Sequence, residues 1–101
     1  MFGGLSKTLD ANEEIQKIVE QVKDGVDKMA DKCFLNLQAI QYRYQSEKGT
    51  LYYIKAYAPV KEGDDNYVHL KIFQKPSDKP GNLELLAIQD NHKRPDPIEP
   101  F

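Results

Sequence analysis

The residue types most used for nucleophilic and metal chemistry are scarce here: one cysteine, Cys33, and two histidines, His69 and His92. A cysteine beside a histidine can act as a nucleophile, and closely spaced cysteines and histidines bind zinc. These three residues are far apart in the sequence, and the carboxylates are scattered without a pair set for acid–base catalysis. We therefore expect no catalytic residue, no metal site, no cofactor and no enzymatic activity.

The contexts of these three residues favour structural roles. Cys33 stands at a helix-to-strand junction beside apolar residues, and free cysteine is among the most buried residue types, so we expect it to be buried. His69 alternates with apolar residues on a strand, which directs it away from the core and predicts a surface histidine. His92 falls in the proline-rich tail.

The overall composition argues against several classes of partner. At 101 residues the chain is expected to form one domain. Fourteen basic and sixteen acidic residues give a net charge of -2, without the basic face that nucleic acid requires. No charged-then-apolar segment opens the sequence, and no apolar run approaches the roughly 20 residues that span a bilayer. With a single cysteine, this predicts a reduced, cytoplasmic setting and no membrane partner.

A helix is predicted over residues 11–30, because apolar residues recur there at steps of three and four. The stripe comprises Ile15, Ile18, Val19, Val22, Val26 and Met29. Asp10 followed by Glu13 predicts a cap at the start of the helix. Gly25 lies inside the helix and costs about 1 kcal/mol relative to alanine, so tertiary packing must compensate for it.

The rest of the chain has the period of two that is typical of strands. Strands are predicted over residues 38–44, 50–58, 66–74 and 83–89. The apolar parity changes between Ala39 and Ile40, which predicts a β-bulge. The short connections QSEKG, VKEGDDN and KPSDKPGN make the sheet antiparallel.

The predicted fold class is α+β, with one long helix packed across a four- to five-stranded antiparallel sheet. We expect a single domain over residues 1–101, with a flexible N-terminal arm over 1–9 and an extended tail over 91–101. In such a meander, the QSEKG and KPSDKPGN turns lie at the same end of the sheet. The N-terminal arm could reach this end as well.

Several segments occur in the order found in a known family: GGL, EIQKIVEQVK, AIQYRYQ, YYIKAY and VHLKIF. Over nearly its whole length the chain resembles a stefin, a type 1 cystatin. The resemblance implies a cystatin-like fold and reversible, tight-binding competitive inhibition of papain-like cysteine peptidases. In that family the N-terminal arm and two hairpin tips form a wedge that enters the peptidase cleft.

The resemblance also implies which residues bind the peptidase. The arm of the family turns at a glycine, which matches Gly4, with Phe2 and Leu5 as apolar neighbours. The family pattern Gln-x-Val-x-Gly aligns with QSEKG, and an apolar-Pro tip aligns with Lys75 and Pro76. The implied peptidase-binding residues are Gly3, Gly4, Leu5, Gln45, Ser46, Glu47, Lys48, Gly49, Lys75 and Pro76.

The first tip departs from the family because Glu47 stands where the pattern has valine. A buried valine contributes about 1.5 to 3 kcal/mol. An unpaired carboxylate in a desolvated cleft adds a further cost. An exposed pair with Lys48 offsets this cost by at most about 1 kcal/mol. We expect inhibition to be weaker by about 2 to 4 kcal/mol unless the target has a complementary charge. The alternative is a non-inhibitory or retargeted binding module on the stefin fold. We expect a monomer, with exchange of the hairpin over residues 38–58 between two copies as the alternative.

Overall fold

A computed structural model describes residues 4–76 and 82–101, apart from the side chain of Glu47. Its elements are β1 Leu9–Asp10, α1 Glu13–Ala30, β2 Gln38–Glu47, β3 Gly49–Tyr57, β4 Tyr67–Gln74 and β5 Leu83–His92. The strands form one antiparallel sheet in the order β1-β2-β3-β4-β5. The predicted α+β fold, with one helix on an antiparallel sheet, is confirmed.

The helix α1 buries the predicted apolar stripe against one face of the sheet. The side chains of Ile15, Ile18, Val19, Val22 and Val26 belong to the core, whereas Met29 in the last turn is 51% exposed. A Cβ on Gly25 would lie 3.2 Å from Leu85 Cδ2, so the missing side chain allows the helix to approach β5 closely. Within the described residues, no helix is both long and apolar enough to cross a membrane.

The helix begins two residues later than predicted, and its cap is a different residue. Asn12 is the N-cap, because its Oδ1 accepts a hydrogen bond of 3.0 Å from the Ile15 amide. Asp10, the predicted cap, instead belongs to β1, where it pairs with Gln41 of β2. Leu9, the last residue of the predicted flexible arm, belongs to the sheet as part of β1 Leu9–Asp10.

The predicted β-bulge is present. The pairing of β2 with β3 shifts between Ala39 and Gln41, so Ile40 is the extra residue. On the helix side of the sheet, this allows Tyr42 of β2 to stand opposite Ile54 of β3. The change of apolar parity in the sequence therefore marked a real change in strand register.

The prediction that Cys33 is buried is wrong, because its side chain is exposed. The helix ends at Ala30, and its C-cap, Asp31, has a left-handed backbone with φ 54°. After this reversal Phe34 enters the core with 2% of its surface exposed, and its amide donates to Asp27 Oδ1 at 3.3 Å. At this junction Phe34, which has the larger apolar side chain, therefore takes the core position that was predicted for Cys33.

The outer face of the sheet, opposite α1, is covered by residues 93–101, which we call the C-terminal segment. Its main-chain carbonyls accept hydrogen bonds from basic side chains on the sheet: Lys55 Nζ donates to Arg94 and Asp96, and Lys71 Nζ donates to Phe101 at 2.6 Å. Burial lowers the pKa of Lys55. The tail was predicted to be extended from residue 91, but His92 still belongs to β5.

The C-terminal segment also explains why the prediction of a surface His69 is wrong. This side chain points away from α1 as expected, yet it is only 1% exposed. Its ring stacks on His92 at 3.8 Å between centroids with an interplanar angle of 8°. Burial, together with the neighbouring His92 and Lys55, lowers the pKa of His69 to about 4.

Candidate functional site

The first tip, residues 45–49, is a tighter turn than the sequence predicts. Gln45 and Ser46 continue β2 and pair with Leu51 and Thr50 of β3, while Glu47 pairs with Gly49. Only Lys48 lies between the two strands, and it is exposed. The predicted five-residue QSEKG turn is therefore mostly strand, with Lys48 as the connecting residue.

Gly49 is required by the fold itself. Its backbone has φ 130°, a conformation that residues with a Cβ rarely adopt. A Cβ there would lie 2.5 Å from the main-chain oxygen of Gln74 and 2.7 Å from Phe73 Cζ. The glycine therefore allows the first tip to lie directly against the end of β4.

The second tip, residues 75–82, begins where β4 ends. Thr50 pairs with Gln74, so the two tips are adjacent at one end of the sheet. The Lys75 amide donates to Asn82 O at 2.9 Å, which closes the base of this connection. Lys75 and Pro76 are exposed, and the other predicted residues of this turn, 77–81, lie outside the described residues.

The N-terminal arm reaches the same end of the sheet along β2. The Ser6 amide donates to Tyr44 O at 2.8 Å, and the Tyr44 amide donates to Ser6 Oγ at 2.9 Å. Because β1 is antiparallel to β2, residues before Ser6 run in the direction of Ser46. Gly4 and Leu5 therefore approach the first tip, while Gly3 and Phe2 lie outside the described residues.

The two glycines at this end of the sheet differ in what their surroundings require. A Cβ on Gly49 would collide with β4, whereas a Cβ on Gly4 would have no atom within 4 Å. Gly4 is also exposed. The fold thus accounts for the glycine at position 49 but gives no reason for the one at position 4.

Aromatic side chains on the helix side of the sheet support the first tip. The Tyr42 ring lies near those of Tyr44 and Tyr52, with 6.3 Å between ring centroids in each case. The Tyr52 hydroxyl donates to Gln74 Oε1 at 3.3 Å, which joins the two hairpins just behind their tips. Burial, and then the negative charge of Glu14, raises the pKa of Tyr52, so its hydroxyl stays protonated and able to donate.

Among the described residues of the two tips, two carry charged side chains that project into solvent. Lys48 and Lys75 are both exposed, one on each tip. The predicted ion pair between Glu47 and Lys48 lies outside the description, because it depends on the Glu47 side chain. The arrangement of backbone edges and exposed side chains is suited to binding a macromolecular surface.

Sequence reasoning overlooked four residues that hold this end of the sheet together: Ser6, Arg43, Phe73 and Gln74. Arg43 is the most informative of them, because its guanidinium bonds both Ser6 O and Ile98 O at 2.8 Å. Its placement on the outward parity of β2 was a signal available in the sequence. The sequence carried no signal for its two partners, since Ser6 and Ile98 both belong to segments without periodicity.

The chain is similar to curated proteins over nearly its whole length. It is 36% identical to cystatin-A of Homo sapiens over 99 residues, which cover 98% of this chain and 97% of that protein. It is 38% identical to cystatin-B of Oplegnathus fasciatus over 101 residues, which cover 100% of this chain and 97% of that protein. It is 34% identical to leukocyte cysteine proteinase inhibitor 1 of Sus scrofa over 101 residues, which cover 100% of this chain and 94% of that protein. No family model matches the chain.

Proposed function

The chain belongs to the stefin family, the type 1 cystatins, and we propose that it is a reversible, tight-binding competitive inhibitor of papain-like cysteine peptidases. Its relatives are named as cystatins and as a cysteine proteinase inhibitor, so the chain belongs to an inhibitor family and is not an enzyme. In the proposed complex, the N-terminal arm and the two tips enter the substrate cleft together.

The observation that carries this proposal is the meeting of three separate segments at one end of the sheet. Ser6 is bonded to Tyr44, a Cβ on Gly49 would touch Gln74, and Lys75 is bonded to Asn82. These contacts exist before any partner arrives, so the described residues that make them lose less conformational entropy on binding. A preformed edge of this kind favours tight binding without a large rearrangement.

The mechanism requires no chemistry from the inhibitor. The peptidase attacks with the thiolate of its cysteine, and this attack needs a peptide carbonyl placed beside the sulfur. The tips occupy the cleft on both sides of the nucleophile without presenting a scissile bond in that position. Substrate is excluded as long as the inhibitor stays bound, and release of the inhibitor restores full activity.

Gly4 supports a role for the arm in this complex. Nothing in the chain itself would obstruct a side chain at this position. A glycine is useful where the backbone must pass close to another surface, because a Cβ would hold the two apart. We propose that the peptidase is that surface, with Leu5 and Phe2 making apolar contacts beside it.

The polar residues of the tips determine how strongly the protein inhibits. Glu47 replaces the apolar residue of the family pattern, and Lys75 replaces the apolar partner of Pro76. Both changes reduce the apolar area that the cleft can bury, at about 25 cal/mol per Å². The best target is therefore a papain-like peptidase whose cleft offers a positive group near Glu47 or negative groups near Lys48 and Lys75.

The exposure of Lys48 and Lys75 favours a second candidate function, a binding module on the stefin fold with another target. Titration of papain and a panel of cathepsin-type peptidases separates the two. An inhibitor lowers activity in proportion to its concentration, and added substrate reverses the effect. Full peptidase activity at micromolar protein across the panel would leave only the second candidate.

A further inference from the structure

Arg43 joins the two ends of the chain at the outer face of the sheet. Its Nε donates to Ser6 O at 2.8 Å, and its Nη1 donates to Ile98 O at 2.8 Å. Ser6 belongs to the N-terminal arm and Ile98 to the C-terminal segment. The guanidinium is planar, so its donor nitrogens keep fixed positions relative to each other. The position of one carbonyl therefore restrains the position of the other.

The Ile98 side of this connection is rigid. The Ile98 side chain is 3% exposed, so the segment that carries its carbonyl is anchored in the protein. On either side of it, Lys55 Nζ donates to Asp96 O and Lys71 Nζ donates to Phe101 O. The Phe101 ring also packs against Tyr53, with 5.8 Å between centroids.

The Ser6 side of the connection is an anchored point next to Gly4 and Leu5, the described binding residues proposed for the arm. The Ser6 amide, hydroxyl and carbonyl are all hydrogen-bonded to β2 residues, namely Tyr44 and Arg43. Gly4 stands two residues away, is exposed, and has open space around it. The direction in which Leu5 and Gly4 leave the sheet is therefore set at Ser6.

From these contacts we propose that Arg43 is a positioning residue for peptidase binding, through which the C-terminal segment sets the direction of the N-terminal arm. The proposal rests on the proposed function, since it concerns the same binding edge. Arg43 need not touch the peptidase. It acts by holding the Ser6 carbonyl, so that Gly4 and Leu5 enter the complex already oriented and less conformational entropy is lost on binding.

A double-mutant cycle on the dissociation rate of a papain complex tests this proposal. Arg43→Gln in the full chain is expected to speed dissociation about 5-fold or more, the range typical of coupling between sites. In a protein lacking residues 1–4, the same substitution is expected to change the rate less than about 2-fold. Equal effects in the two backgrounds would overturn the proposal, because Arg43 would then act independently of the arm.

Two further variants separate positioning from general stability. Ile98→Ala weakens the anchor of the C-terminal segment, and its effect should also disappear when residues 1–4 are absent. Lys23→Gln is the control, because it also removes a lysine from a charged contact, here with Asp27 within α1 on the opposite face of the sheet; its dissociation rate should stay within about 2-fold of the unmodified protein. Arg43→Lys keeps the charge but offers a single nitrogen, and should behave like Arg43→Gln.

A measurement on the free protein keeps this inference distinct from the proposed function. If papain is not inhibited at all, the proposed function fails. Amide hydrogen exchange then tests separately whether Arg43 restrains the N-terminal arm in the free protein. Exchange of the Ser6 amide, which bonds Tyr44 O, should accelerate in both Arg43→Gln and Ile98→Ala but not in Lys23→Gln. Unchanged exchange in Ile98→Ala would show that the C-terminal segment does not restrain the arm.

Discussion

Gly49 and Gln74 lie so close that a Cβ on the glycine would be 2.5 Å from the main-chain oxygen of the glutamine. This close approach brings the first tip against the end of β4, where the second tip begins. It also distinguishes the glycine that the fold requires from Gly4, at which the fold tolerates a side chain. The first two predictions follow from this difference.

Gly49→Ala is expected to lower the free energy of unfolding by at least about 2 kcal/mol, since it adds steric conflict to an unfavourable backbone conformation. Gly63→Ala is the matched control: Gly63 also has a positive φ, 87°, but its Cβ would meet no atom within 4 Å. It should cost only the backbone strain, about 1 kcal/mol. Urea unfolding of both variants measures the difference, and equal losses would contradict the steric account.

Gly4→Val is expected to leave stability unchanged and to weaken peptidase binding. The free protein has open space around this position, so thermal unfolding should be unaffected. In the proposed complex, the valine side chain would hold the arm away from the peptidase and raise the inhibition constant by about 10-fold or more. An unchanged inhibition constant would mean that the arm does not approach the peptidase closely at Gly4.

Glu47→Val is expected to tighten inhibition of papain. The substitution restores an apolar residue at the first tip and removes a carboxylate that the cleft would desolvate, for a gain of about 2 kcal/mol or more. Glu62→Val, in the turn at the opposite end of the sheet, is the control and should leave the inhibition constant unchanged. Identical constants for Glu47→Val and the unmodified protein would disprove the proposed role of the tip.

Stability is expected to fall as the pH drops from about 7 to about 5, and His69 should be the main cause. The folded protein keeps this ring neutral, with a pKa of about 4, while the unfolded chain takes up a proton near pH 6.5. The unfolded state therefore binds more protons throughout this window, which costs the folded state about 2 kcal/mol by pH 5.

The groups that face His69 do not change the direction of this effect. His92 and Lys55 lower its pKa further, while Asp96 opposes them more weakly. The Asp96 carboxyl, held by the Lys93 amide and His92, has a lowered pKa and does not titrate in this window. Urea unfolding at about pH 7 and pH 5 tests the prediction. His69→Phe should lose about 2 kcal/mol less than the unmodified protein, and parallel losses would contradict it.

The parts of the fold that follow from local pattern could be predicted from the sequence. The stripe from Ile15 to Val26, the order of the strands and the bulge at Ile40 all depend on residues that are neighbours in the chain or across one hairpin. The position of His69 in the alternating pattern of its strand likewise predicted the correct face of the sheet. These features need no knowledge of distant contacts.

Most of the errors arose where a distant segment decides the outcome, whereas the error at Cys33 arose from a local reversal of the backbone. Parity could not show that the C-terminal segment returns over the outer face and buries His69, because Ile98 and Phe101 stand in a proline-rich stretch without periodicity. At the helix end, a left-handed Asp31 turned Phe34 inward in place of Cys33. In the candidate site, the requirement for Gly49 depends on Gln74, and the requirement for Arg43 depends on Ser6 and Ile98.

The most direct test of the central claim is protection of a peptidase's active-site cysteine. Papain is mixed with increasing amounts of the protein, and the rate of alkylation of its thiol by a peptidyl reagent is followed. If the arm and tips occupy the cleft, the rate falls in proportion to the free peptidase and approaches zero at saturation. Alkylation at the full rate, with the protein in large excess, would show that the cleft stays open and would contradict the account.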